Sequence, residues 1–194
     1  HLVGSPEAEG LFHRAIGQSG GNFRKLPELN TGDNSAESRG VALQQKLDQP
    51  SLAAMRQLDA HELLQGDDGR SYRAIVDGKF IPDQLYRMFE LGKFNRVPVM
   101  LGYNAEEGTT LGALRMMPKN VQDYEASLQR RFGREVKEVL RLYPSDDIRK
   151  SVLALSSDAG FGWNMHYWAE KSVLHGAATF MYYFTHQPLG RELG

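Results

Sequence analysis

The run Val97-Pro98-Val99-Met100-Leu101-Gly102 is short, apolar on both alternating faces and flanked by turn-forming residues, and it constrains the fold more than any other stretch. A strand exposed on one face would alternate apolar with polar residues. A continuous run of this length reads instead as a strand covered on both faces, the habit of parallel sheets packed between helices. Two other stretches read as strands. His13 to Gln18 ends at Ser19-Gly20-Gly21, and Phe180 to Phe184 is apolar and aromatic throughout. Helical patterns lie between them, so the expected class is α/β with a largely parallel sheet.

The helical patterns carry start and stop signals. Asn34 with Glu37 three residues on predicts a capped helix to about Leu47, Pro50-Ser51 opens a second, and Asp59 with Glu62 caps a third. A turn is expected at Gly66 to Gly69, an extended piece at Tyr72 to Val76 and a tight turn at Asp77-Gly78. Ile81-Pro82-Asp83 predicts a helix through Leu91, stopped by Gly92. Apolar residues recur at threes and fours from Val121 to Tyr143, with Gly133 as the weak point of a helix or helix pair. Further helices are expected from about Asp147 to Leu155 and from Trp163 to about Ala178. Three strands in 194 residues make a sheet with neighbours missing, so the chain reads as part of a larger domain.

Composition narrows the function. With 23 Lys and Arg against 24 Asp and Glu the net charge is -1, and the charges are interspersed, which leaves no basic footprint for nucleic acid. There is no cysteine, hence no disulfide, thiol nucleophile or thiolate metal site, and the 6 histidines show no metal-ligand spacing. No apolar stretch approaches the roughly 20 residues that span a bilayer. The first residues, His1 to Pro6, show no signal-peptide pattern, and nothing in the sequence assigns a compartment.

Two features carry acyl-transfer chemistry. Gly17-Gln18-Ser19-Gly20-Gly21 is a literal G-x-S-x-G after a strand, and with Glu107 and His186 it gives the order Ser, Glu, His of a hydrolase triad. A nucleophile elbow, however, needs a helix directly after its serine to supply oxyanion donors, and Asn22 to Pro27 has no helical periodicity. Ser19 therefore reads either as a nucleophile or as a serine in a glycine-rich turn. Glu107 follows a buried strand, where open α/β sheets place their sites, and could orient an imidazole. It could equally complement the dipole of a helix starting near Thr109.

Four blocks in order resemble the type-B carboxylesterase family, the branch of the α/β-hydrolases that includes the cholinesterases. Ser5-Pro6 through Gly10-Leu11-Phe12 to Gln18-Ser19-Gly20 is similar to its "SP…GLF.RAI.QSG" segment. Val76 to Pro82 resembles "vDG.flP", Val97 to Gly108 resembles "vPvmiG.n..EG", and Phe180 to His186 resembles "Y.Y.F.H". The resemblance implies an incomplete portion of an α/β-hydrolase fold over 1–194, without the nucleophile-bearing part that precedes these blocks in the family or the histidine-bearing part that follows them. It implies a serine esterase with an acyl-enzyme mechanism, acting on carboxylic esters with no metal or organic cofactor. Glu107 then matches the triad acid. Ser19 matches a supporting serine that does not attack substrate, and Glu106 the neighbouring acidic position. His186 and His175 are not the family's catalytic histidine. The absence of cysteine suggests a bacterial-type member. On this reading the 194 residues alone are inactive and depend on the rest of the domain.

The alternatives are a catalytically silent scaffold for binding or adhesion, and a self-contained small hydrolase using Ser19, Glu107 and His186. Phe161, Trp163, Tyr167 and Trp168 either line an acyl pocket or belong to the core, and Met116, Met117 and Met165 either frame a gorge or fill gaps. Asp158 resembles an acidic position of the family, with an expected structural role.

Overall fold

A computed structural model describes residues 1–67, 72–111, 115 and 117–186. The chain divides into two compact units, residues 1–12 with 22–96, and 13–21 with 97–194.

In the first unit, four short helices are held largely by turns and side-chain ties. They are α1 (Ala36–Lys46), α2 (Leu52–Met55), α3 (Ala60–Gly66) and α4 (Leu85–Glu90). The cap of α1 lies one residue later than the sequence suggests, because Ser35 Oγ rather than Asn34 accepts the Ser38 N–H. Asp59 and Glu62 form the expected reciprocal cap of α3. α4 starts at Leu85 rather than Ile81. The backbone of Ile81 is occupied by the preceding turn, donating to Asp77 Oδ1 at 2.8 Å, and Gln84 ties back to Leu26 through both amide atoms. Asp77 also accepts from Lys79 N–H, and these backbone donors hold its carboxyl below the usual range. Val76 makes a single bridge to Glu28, so the expected extended piece is not a full strand; the expected turn at Gly66 to Gly69 lies partly outside the described residues. Buried Leu26, Ile81, Leu85 and Met88 form the apolar interior with Phe23, whose ring meets Phe89 edge-on at 4.9 Å.

The second unit contains the sheet. β1 (Ala15–Gln18), β2 (Val99–Asn104) and β3 (Thr179–Phe184) are parallel in the order β1-β2-β3, with Gly17 opposite Leu101 and Leu101 opposite Met181. Four helices follow β2: α5 (Val121–Phe132), α6 (Val136–Leu142), α7 (Ile148–Ser157) and α8 (Trp163–Leu174). The break between α5 and α6 falls at Gly133, whose φ of 55° only glycine adopts freely. α7 and α8 are joined without a loop by a π-helical turn, Asp158–Gly162. The long helix expected from Trp163 therefore begins as the continuation of another.

α8 covers one face of the sheet. Val99 and Leu101 of β2 pack with Met165 and Ala169 of α8, and Trp168 and Tyr103 close the cluster. The opposite face is open: Ile16, Met100 and Phe180, paired across the three strands, are all exposed. The buried β3 expected from its sequence is thus mostly exposed in the chain, because no described element lies beyond it or over that face.

Candidate functional site

Parallel strands bring their C-terminal ends together, and here those ends carry Ser19, Asn104 to Glu107, and His186. β1 stops at Gln18, but its ladder continues one step, since Ser19 N–H donates to the Gly102 carbonyl at 2.8 Å. Ser19 then turns left-handed, with φ of 58°, unusual for a residue with a Cβ. Gly21 passes so close to Asn164 and Met165 of α8 that a Cβ there would strike them. No described helix follows Ser19 until α1, so the strand-to-helix elbow of a nucleophile is absent at this serine.

Glu107 is the first residue of a 3-10 turn, Glu107–Leu111. Three hydrogen bonds fix that turn. Ala105 N–H donates to the Phe184 carbonyl at 2.9 Å, Thr109 Oγ1 donates to the Glu106 carbonyl at 2.7 Å, and Gly108 N–H donates to Ser157 Oγ at 2.7 Å. The half-buried carboxylate of Glu107 is the focus of the site. Ser19 Oγ donates to its Oε1, and Asn104 Nδ2 donates to the same oxygen at 2.7 Å. A carboxylate only accepts, so two neutral donors on one oxygen fix its plane without cancelling its charge. The Ser19 proton is directed at this carboxylate rather than at an imidazole.

A tyrosine and aspartate network lies nearby in the same unit. Tyr143 O–H donates to Asp158 Oδ2 at 2.7 Å, and Tyr124 O–H to the Tyr143 carbonyl at 2.9 Å. Burial pushes the Tyr143 phenol up, and its bond to Asp158 adds to that. Burial likewise raises Tyr103, with the Asp158 and Tyr183 charges contributing. A Cβ on Gly162 would come within 2.9 Å of Tyr103 Oη, too close for an ordinary contact, which explains the glycine in the π turn.

The family model for carboxylesterases matches residues 1–192. The chain belongs to the carboxylesterase family. Among curated relatives of this carboxylesterase chain, the fumonisin B1 esterase of Sphingopyxis macrogoltabida is 31% identical over 82% of the chain and 30% of its own length. Carboxylesterase 1C of Rattus norvegicus is 28% identical over 96% of the chain and 38% of its own length. The chain thus spans about a third of the length of these relatives. A carboxylesterase structure from Geobacillus stearothermophilus superposes with a TM-score of 0.75 over 98% of the chain and 42% of that protein, at 23% identity. A PNB esterase structure gives 0.74 over the same share of the chain. The fold is that of part of an α/β-hydrolase.

Within this carboxylesterase chain the sequence-derived candidates fall into two groups. Ser19 and Glu107 meet. Glu106 is exposed beside them and contributes its carbonyl to the turn. His186 is exposed, with its ring against Phe184, and among the described residues it makes no hydrogen bond to Ser19 or Glu107, so the relay of a self-contained triad is not assembled. His175 closes α8. Met165 and Trp168 are core, while Trp163 is half exposed and stacks on Tyr167. Neither they nor Phe161 line the open cleft of about 360 Å³ beside β3, which is bordered by Tyr103, His166 and Met181 to Tyr183. Met117 is half-buried, and Met116 lies outside the described residues. Among the described residues no cluster of His, Asp or Glu has the makings of a metal site, and no helix is long and apolar enough to cross a membrane. Asn104 escaped sequence reasoning. Its signals in the sequence are a position three residues before Glu107, at the end of a strand, and the n of the "vPvmiG.n..EG" pattern.

Proposed function

We propose that this chain is the acid-bearing section of a carboxylic ester hydrolase that works through an acyl-enzyme, with Glu107 as the acid of a Ser-His-Glu triad. The nucleophilic serine and the histidine lie in parts of the polypeptide outside residues 1–194. The serine oxygen attacks the ester carbonyl carbon, the histidine takes the serine proton and passes it to the departing alkoxide, and water then releases the acid by the reverse roles. Glu107 accepts the histidine N–H, fixes its tautomer and stabilises the imidazolium that forms in each half-reaction.

The observation that carries this reading is the placement of Glu107 at the C-terminal end of the central strand, with Oε1 held by Ser19 and Asn104. On the same reading the 194 residues alone do not hydrolyse esters, and the rest of the domain covers the open apolar row Ile16, Met100 and Phe180. Parallel sheets bury both faces, so that row supports further elements packing there.

The test uses the full-length protein and a serine-reactive fluorophosphonate. One adduct, mapped outside residues 1–194, is expected. Glu107→Gln is expected to lower kcat by about 10³-fold to 10⁴-fold with KM little changed, as removal of an orienting acid does. No adduct would favour the silent scaffold, and an adduct at Ser19 the self-contained hydrolase.

A further inference from the structure

Two donors converge on Glu107 Oε1, and they differ in kind. Ser19 reaches it from the end of β1, across the sheet. Asn104 reaches it from the last residue of β2, three positions before Glu107 in the same loop. The backbone of Asn104 is fixed by the ladder, in register with Phe184 of β3, and the backbone after Glu107 is fixed by Gly108 N–H on Ser157 Oγ. Between these two anchored points, the side-chain bond at 2.7 Å staples the loop and sets the carboxylate plane.

We propose that Asn104 is a positioning residue for the triad acid: its carboxamide, acting with the Ser19 hydroxyl, sets the plane in which Glu107 meets the histidine. This rests on the reading of Glu107 given above. The chemistry of an amide suits the task. A lysine or arginine here would hold the carboxylate equally well but would cancel the charge that stabilises an imidazolium. A serine would be too short to span the same gap. The amide must present Nδ2 rather than its oxygen, because the facing carboxylate oxygen can only accept. Asn104 is itself exposed and is not a member of the apolar cluster between β2 and α8, so little buried surface depends on its side chain.

The experiment uses the full-length enzyme and a soluble chromogenic ester. Asn104→Ala is expected to lower kcat by about 10-fold to 100-fold, the scale of a small misplacement of a catalytic group, with KM and melting temperature unchanged. Asn104→Asp keeps the shape but turns the donor into an acceptor. Its kcat relative to the parent is expected to rise as pH falls, because protonation restores a donor, a response that a merely structural role would not produce. The Ser19→Ala, Asn104→Ala pair is expected to be non-additive, since both groups act on one oxygen. If Asn104→Ala keeps kcat within about twofold while Glu107→Gln abolishes turnover, the inference fails and the function stands. If Asn104→Ala changes only KM or stability, the inference also fails. If Glu107→Gln is itself harmless, the functional reading fails with it.

Discussion

Ser19 N–H donates to the Gly102 carbonyl at 2.8 Å, so the serine is carried one step past the end of β1 on the ladder of its neighbour. Its hydroxyl thereby reaches a carboxylate that lies 88 residues further along the chain. The left-handed backbone needed there costs a residue with a Cβ roughly 1 kcal/mol, which glycine would not incur. Ser19→Ala in the full-length enzyme is expected to lower kcat about tenfold, by loosening the acid, while fluorophosphonate labelling stays at one per chain. Ser19→Gly should lower kcat similarly and be no less stable in a thermal melt. Loss of labelling in either variant would make Ser19 the nucleophile.

Gly108 tests the turn that holds Glu107. A Cβ at this position would fall on the Leu153 carbonyl and on Ser157, both in α7, and neither is a flexible end that can step aside. Gly108→Ala should therefore destabilise the full-length protein by about 1–3 kcal/mol and reduce kcat by displacing the acid. Gly40, inside α1, has open space around it. Gly40→Ala should instead raise stability by about 0.5–1 kcal/mol. Denaturant midpoints of the two variants check the contrast.

Leu101 and Met165 are both fully buried in one cluster between β2 and α8. Leu101→Ala is expected to cost about 2–5 kcal/mol through lost burial and the cavity left behind. Because the two residues share that cavity, the double replacement with Met165→Ala should be non-additive. Equilibrium urea unfolding of the four proteins measures the coupling, and strict additivity would place the residues in separate environments.

Tyr143 gives a pH dependence whose sign is fixed. Burial and the bond to Asp158 raise its folded-state pKa above the ordinary value of 10.0. The unfolded chain then loses the phenolic proton first. The stability that this tyrosine contributes is complete below pH 10.0 and is lost as pH rises through and beyond that value. Tyr143→Phe should be less stable near neutrality, where the bond to Asp158 is lost, and should show a shallower fall in denaturant midpoint above pH 10.0.

Much of this architecture is legible in residue patterns. Val97 to Gly102 reads as a strand covered on both faces, and the chain covers one of them through α8 while Met100 stays exposed on the other; Asp59 with Glu62 specifies its cap by local chemistry alone. Where the structure departs from these patterns, a tertiary contact outranks a local signal. Ile81 looked like the start of a helix, but its N–H was needed by Asp77. Phe180 to Phe184 looked buried because its composition reflects a covered sheet, whereas the chain itself leaves the strand open on one side. At the site, Ser19 and Glu107 are brought together in the sequence only by the order Ser, Glu, His and by the family resemblance, since no local rule links residues 88 apart. Asn104 stands at the n of the "vPvmiG.n..EG" pattern, but an asparagine at the end of a strand is an ordinary loop residue until the carboxylate beside it is placed.

The π turn Asp158–Gly162 has a further consequence. Each residue of an α-helix advances the helix by about 100°, so the wider turn sets the rotational phase of everything after it. Met165 and Trp168 face the sheet in that phase. Removing one residue from the turn would let α7 and α8 run as one regular helix, yet would swing those side chains roughly a quarter of the way round and bring others inward. An apparently redundant residue is therefore a length setting for the core, and single-residue deletions there should be far more damaging than substitutions at the same positions.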